Sequence, residues 1–375
     1  MSDNSALQDP FREIRPYRDS EVSEVLNGLL YNDEFIRAIA RYQFPRLAGV
    51  CGFLVRPLVR MGLARAVGDV ETIRDFQQLV AKYMSKMIAR TTTRLSCSGL
   101  EQLDPDEAYL FVSNHRDIAM DPAFVNWMLY KADMNTVRIA IGDNLLRKPY
   151  VSDLMRLNKS FIVNRSAKGR EMMTALNQLS AYIDHSIAEG ESIWIAQREG
   201  RAKDGNDRTD PAILKMFYMA QRKKRSFSEA IERLNIVPVS IAYEFDPCDR
   251  AKAKELYARA SAGSYEKAQY EDINSIVAGI TGQKGHVHVA FGAPIRGQFE
   301  SPEELSAFID REIIGHYHLH PSNLIAAGEG DEVTAEQRAA FEARMEGLSD
   351  GEREIMRQMY ANPVINKRRL EAEAV

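Results

Sequence analysis

The segment "VSNHRDIAMDP", residues 112–122, places one histidine near two aspartates: Asp117 stands two positions after His115, and Asp121 six. A carboxylate that holds one imidazole nitrogen as N–H leaves the other free to take a proton, so either pairing makes a general base. The flanking residues favour Asp121. The run "AYLFVSN" reads as a strand ending at Asn114, and "DPAFVNWMLYKA" opens as a helix with Asp121 at the N-cap and Pro122 at the first helical position. A cap residue is held in place and can face back across the loop, whereas Asp117 lies in mid-loop and is the alternative partner. His115 thus sits on a strand-to-helix loop, where α/β folds put ligands and chemistry. Ser113 is read as structural, since the chain has no G-x-S-x-G elbow.

Hydrophobic periodicity indicates which elements position that loop. Residues 21–92 space their apolar side chains at three and four positions, which predicts helices, with Asp69 as one N-cap. From about Thr93 the period changes. The runs "TRLSCSG", "AYLFVSN", "TVRIAIGD", "SFIVN", "SIWIAQ", "IVPVSIAYE" and "HVHVAFG" alternate with helical stretches at 122–132, 168–189 and 226–234, an α/β pattern. Several runs are continuously apolar and short, as expected for strands covered on both faces. The fold class expected is α/β, a mixed central sheet flanked by helices. Its expected divisions are an N-terminal helical region over 1–92, an α/β domain over 93–320 with a charged helical insertion at 246–280, and a helical tail over 321–375 with a hinge near Gly328–Asp331.

Two further strand ends are polar. "SFIVNRS" runs into Asn164 and Arg165, and "SIWIAQREGRAKDG" empties into Arg198, Glu199, Gly200, Arg201 and Lys203. Taken in order, "NHRDIAMDP", "FIVNRS", "REGRAKDG" and "IVPVSIA" resemble the four blocks of the glycerolipid acyltransferase family, which includes glycerol-3-phosphate and lysophosphatidate acyltransferases, over roughly residues 93–295. The family has four residues between its His and Asp where this chain has five, and the third block is one residue short. The resemblance implies direct acyl transfer, with His115 taking the proton of an acceptor hydroxyl and Asp121, or alternatively Asp117, behind it. It makes Arg165 and either Arg201 or Lys203 the grip on the acceptor's phosphate, a task suited to forked donors. Asn114, Asn164, Glu199, Gly200 and Pro238 would shape the site. Glu199 would orient it through backbone N–H groups, and Pro238 would mark an edge or bulge beside the thioester channel.

The donor implied is acyl-CoA or acyl carrier protein, with no other cofactor. The acceptor implied is 1-acyl-glycerol 3-phosphate, with glycerol 3-phosphate as the alternative. A lipid- or carrier-binding protein that has lost activity is the rival from another class.

Global composition agrees with a globular enzyme. The 375 residues are 45% hydrophobic and 27% charged with net charge −4, which excludes the basic balance of a nucleic-acid binder. Cys51, Cys97 and Cys248 are widely separated and fit a reducing cytoplasm. The polar, acidic N-terminus has no secretory leader pattern. The most apolar window, 47–67, contains Arg56, Arg60, Arg65 and Pro57, so it reads as a core helix pair meeting at Gly52 or Pro57, or as an interfacial helix at an anionic membrane surface. The basic run "QRKKR", 221–225, is either a solvated helix end or an attraction to anionic lipid. Together these features lead us to expect a cytoplasmic protein held peripherally at the inner face of the membrane. "GHYHLHP" aligns His316, His318 and His320, and His286 and His288 repeat the spacing; without a carboxylate in the segment they are read as solvated or helix-capping histidines, and no metal is expected.

Overall fold

The computed structural model describes residues 9–44, 52–266, 268 and 270–373. Cys51 and the first part of the apolar window, 47–51, lie outside the described residues. Seven strands follow in chain order: β1 (Thr92–Ser98), β2 (Leu110–Ser113), β3 (Arg138–Gly142), β4 (Ser160–Val163), β5 (Ile193–Ala196), β6 (Ile236–Tyr243) and β7 (Gly285–Phe291). Each falls on one of the runs expected from sequence, and the fold is mixed α/β.

The chain divides into two compact units, residues 1–85 with 138–175, and residues 86–137 with 176–375. Boundaries at 92 and 320 do not describe this division. β3 and β4 pair in parallel and belong with the N-terminal helices, where the Ile162 N–H donates to the Ile14 carbonyl (2.8 Å) and the Tyr17 N–H to that of Arg156 (3.2 Å). The C-terminal helices belong to the larger unit, because Phe341, Met356, Met359 and Tyr360 share a core with Ala253 and Ile325.

In the smaller unit, Val22, Leu26, Phe35, Ile36, Val55, Val59, Phe76 and Leu157 form the core. Asn32 divides what reads as one long helix into Asp19–Tyr31 and Asp33–Gln43, its side-chain oxygen accepting from the N–H groups of Glu34 (3.0 Å) and Phe35 (2.9 Å). The helix Gly52–Val67 runs through Pro57 instead of breaking there: proline removes one intrahelical hydrogen bond, and the packed Val55 and Val59 keep the helix in register. Phe53, Leu54, Leu58 and Met61 of the same helix are exposed, Phe53 at 73%. Arg60 reaches the Leu30 carbonyl and Asp33 rather than projecting outward. The cap of the next helix, Ile73–Thr91, is Thr72 and not Asp69, with Thr72 and Asp75 bonding one another's N–H groups. Among the described residues no helix is long and apolar enough to cross a membrane.

The larger unit holds five strands in the order β1-β7-β6-β2-β5. β2 is parallel to both β5 and β6, and β7 alone runs antiparallel to its neighbour β6. Every residue of β2 and β6 is buried, which their unbroken apolar sequences require. This topology puts the carboxyl ends of β2, β5 and β6 and the amino end of β7 at one edge, and the polar residues just beyond those ends therefore converge.

Pro238 is not on an edge strand, for β6 has β2 on one side and β7 on the other. It is tolerated because the β6–β7 ladder ends at Val239 and Phe291. One position further the Pro238 carbonyl accepts from Gly292 (2.8 Å), and no reciprocal N–H is needed.

Candidate active site

β2 ends at Ser113, and Asn114 continues its pairing with a side chain in place of a peptide. Its carbonyl oxygen accepts from the Ile241 N–H (2.8 Å) and its amide donates to the Ile241 carbonyl (3.0 Å). The chain is thereby pinned one residue before His115. Beyond the imidazole, Asp121 is fully buried and saturated. Its Oδ2 lies 2.8 Å from His115 Nδ1 and accepts from the N–H groups of Arg116 (2.6 Å) and Asp117 (2.9 Å), while its Oδ1 accepts from the Tyr243 hydroxyl (2.7 Å). The two loop amides and the phenol leave the carboxylate one orientation, and that orientation holds the ring. The Trp194 ring meets the His115 ring edge to face at 5.7 Å between centroids, closing its other side.

The sequence places Asp121 at the N-cap, but the structure assigns the cap otherwise. The helix is Met120–Lys131, so Asp121 lies in its first turn, and Asp117 Oδ1 accepts from the N–H groups of Ala119 (3.0 Å) and Met120 (2.9 Å). The extra loop residue is absorbed by this Asp117 turn. Asp117 is buried with its Oδ2 unpartnered, and Gly279 packs so closely that a Cβ there would lie 2.2 Å from that oxygen. Burial first, and then the neighbouring Asp121 charge, push the Asp117 carboxyl up to about 6.

The third block joins the first through its backbone, since the Ala202 N–H donates to the His115 carbonyl (2.9 Å) and the Gln197 N–H to that of Ser113 (2.8 Å). Glu199 and Gly200 are exposed on the intervening turn, where Gly200 has φ +74°, a left-handed conformation that favours glycine. Arg201 is half-buried and donates to Ser275 Oγ at 3.4 Å, whereas Lys203 is ion-paired with the buried Glu255. The two candidates are therefore unequal, because Lys203 already has a carboxylate partner. Arg165 and Asn164 lie at the end of β4 in the smaller unit. There the Arg165 N–H donates to Asp143 Oδ1 (3.1 Å), the Asn164 side chain caps its own turn by accepting from the Ala167 N–H (3.1 Å), and the Arg165 side chain passes over Gly142.

Several supporting residues carry no motif and are missed by sequence reading. Arg116 is buried and donates to Asp207 Oδ2 (2.5 Å), which also accepts from Asn114 (3.3 Å). Burial raises the Asp207 carboxyl even so. Lys252, in the helix Asp249–Ala262, donates to the Arg116 carbonyl (2.7 Å) and pairs with Asp246. Burial would raise the Asp246 carboxyl, but the Lys252 ammonium holds it below its ordinary value. The charged stretch after β6 is thus part of the site's support, and its buried Asp249, Lys252 and Glu255 are the positions that distinguish it from a solvated insertion. "QRKKR" falls on an exposed turn after the helix Pro211–Tyr218, pinned by the Tyr218 hydroxyl donating to the Arg225 carbonyl (2.9 Å).

An imidazole backed by a buried carboxylate at the carboxyl ends of parallel strands can act as a general base. Residues 94–242 match the family model Acyltransferase. The chain is similar to the glycerol-3-phosphate acyltransferases of Pseudomonas syringae pv. syringae (27% identity, 57% of this chain and 23% of that protein) and Pseudomonas putida strain GB-1 (24%, 70% and 32%). It therefore spans a quarter to a third of the length of these relatives. A solved structure of the 1-acyl-sn-glycerophosphate (LPA) acyltransferase from Thermotoga maritima is similar at 15% identity and a TM-score of 0.38, covering 74% of this chain and 92% of that one.

Proposed function

We propose that the protein is an O-acyltransferase of glycerolipid synthesis, moving a fatty acyl group from acyl-CoA or acyl carrier protein to a hydroxyl of a phosphorylated glycerol. The observation that carries this reading is the His115–Asp121–Tyr243 chain, in which each hydrogen bond is 2.7–2.8 Å and the carboxylate is dry. With Nδ1 held by Asp121, His115 Nε2 takes the hydroxyl proton as the oxygen attacks the thioester carbonyl. The C–S bond then breaks, and the thiolate leaves with the proton returned by the imidazolium. This chemistry needs no cofactor beyond the donor, and no acyl-enzyme. Arg201 and Arg165 are the proposed phosphate contacts.

The preferred acceptor is 1-acyl-glycerol 3-phosphate, reached by peripheral attachment to an anionic membrane surface on the cytoplasmic side. The exposed Phe53, Leu54, Leu58 and Met61, with exposed Arg56 and Arg65 on the same helix, support that attachment. Glycerol 3-phosphate is the second reading, favoured by the names of the Pseudomonas relatives. Thiol release from acyl-CoA and from acyl carrier protein, measured with each acceptor, tests the proposal. Turnover that His115→Ala abolishes while the protein stays folded is expected. No turnover with either acceptor would leave the non-catalytic binding protein as the reading.

A further inference from the structure

Of the chain's seven histidines, four meet in one place in the larger unit, away from the His115 loop. His286 and His288 project from β7, and His318 and His320 follow the helix Pro302–His316. Ring centroids are 5.0 Å apart for both His286–His318 and His286–His320, 4.7 Å for His318–His320 and 4.8 Å for His288–His318. His316, which sequence alignment alone would group with His318 and His320, lies instead on the helix with Nδ1 2.8 Å from the Glu312 carbonyl. His320 is the telling member. It is 0% exposed and neither ring nitrogen has a hydrogen-bond partner of normal geometry, the Ala242 main chain being the neighbour of the ring. A buried imidazole in that condition forgoes the hydrogen bonds that offset its desolvation.

We propose that His286, His318 and His320 form a binding site for a divalent transition-metal ion of the zinc type, with His288 as the residue that orients His286. One donor nitrogen from each of the three lies within 4.8 Å of the others. Tetrahedral zinc with bonds of ~2.0–2.1 Å needs neighbouring nitrogens roughly 3.4 Å apart. The three nitrogens must therefore draw closer together on binding. Ser96 connects the remaining pair, its hydroxyl oxygen lying 2.7 Å from His286 Nε2 and 2.8 Å from His288 Nδ1, and Ser98 Oγ lies 3.0 Å from His288 Nε2. A hydroxyl carries one proton, so it donates to one ring and accepts from the other. When His286 Nε2–H donates to Ser96, Ser96 to His288 and His288 to Ser98, the lone pair of His286 Nδ1 is left for a metal. Ligating histidines are usually held by their second nitrogen in this way.

Arg94 and Lys367 lie close enough to oppose a dication, and the carboxylate of Glu244 is committed to the His286 N–H (2.8 Å). A borderline metal that accepts three neutral nitrogens and a water therefore fits better than magnesium or calcium, which require oxygen ligands. The bound ion would clip β7 to the segment that begins the C-terminal helices. From there Asn323 donates to the Tyr360 carbonyl (2.9 Å), and Tyr360 donates to Asp249 (2.8 Å), which abuts the Lys252–Asp246 pair under the His115 loop.

The test uses the untagged full chain, stripped with a chelator and desalted, then titrated with Co2+ and next with Zn2+. Expected is uptake of a single Co2+ per chain with visible ligand-field bands that Zn2+ abolishes, and a rise in Tm on adding Zn2+. His318→Ala, at the exposed rim where folding does not depend on it, and His286→Ala should each weaken Zn2+ binding by about tenfold or more. A His185→Ala, His316→Ala double variant, which removes two histidines outside the cluster, should bind as the unaltered chain does. Absence of stoichiometric uptake by the folded protein would overturn the proposal, as would unchanged affinity in both His318→Ala and His286→Ala, or loss of binding in the His185/His316 variant.

Discussion

Replacing Asp121 by asparagine separates its electrostatic role from its structural one. Three donors converge on Oδ2 and one on Oδ1, so the asparagine oxygen is forced to the three-donor side and its NH2 faces the Tyr243 oxygen, which can accept. The loop and the ring orientation survive, and the negative charge does not. A unit charge a few ångströms from the imidazolium gives ~4 kcal/mol at an effective dielectric near 20. The amide dipole recovers part of this, leaving a loss of about 2–4 kcal/mol in the transition state, or roughly thirtyfold to a thousandfold in kcat. Asp117→Asn should cost less than about threefold, because an asparagine oxygen can accept from the same Ala119 and Met120 N–H groups, and the carboxylate bonded to the ring is that of Asp121. The assay is thiol release at saturating acceptor, with thermal unfolding run in parallel. An Asp121→Asn enzyme within a few-fold of the unaltered protein, or one less affected than Asp117→Asn, would refute the reasoning.

Arg201→Ala and Arg165→Ala should each raise KM for a phosphorylated acceptor by about one to two decades, the ~1.5–3 kcal/mol of a charge-assisted contact, and leave KM for the thioester unchanged. Lys203→Ala should instead lower Tm with little change in KM, since it strips a partner from buried Glu255; the opposite ranking in initial-rate measurements would reverse the assignment. Gly279→Ala should lower both Tm and kcat, because the new Cβ displaces the Asp117 carboxylate at 2.2 Å; calorimetry showing an unchanged Tm would contradict the packing. The raised carboxyl of Asp117 binds its proton more tightly when folded, so its contribution is complete below about 3.8 and is lost as pH rises through about 6. Denaturant titrations should therefore show Asp117→Asn gaining on the unaltered protein by about 2–3 kcal/mol between pH 4 and pH 7, and a constant difference would mean that the group does not titrate there.

The strands were legible because their apolar runs are short and unbroken, and the position of His115 followed from the polar residues that end β2. Pairing His115 with Asp121 could be argued from sequence, but the reason given for it was mistaken. Cap preference cannot show which of two aspartates four positions apart turns inward; here the cap residue is Ala119, and Asp117 braces the turn that leads into it. The unit boundaries were hidden because β3 and β4 read as ordinary members of an alternating series, while the Ile14 and Tyr17 backbone contacts that bind them to the N-terminal helices leave no periodic trace. Pro238 looked like an edge residue because the ladder's end at Phe291 is a tertiary fact. Tyr243, Arg116, Asp207 and Lys252 lie far apart along the chain, and only the parallel neighbours of β2 bring them to one carboxylate and one loop.

The Asn114 side chain that stands in for a peptide has a consequence for time rather than geometry. It locks the residue before His115 into β6, whose residues are all buried, so the His115 end of β2 cannot open without opening the middle of the larger unit. Native-state hydrogen exchange at Ile241 and its neighbours should then proceed only through global unfolding, while the exposed turn at Arg198–Gly200 exchanges by local fluctuation. The His115 side of the candidate site is thus built on the slowest-moving part of the unit.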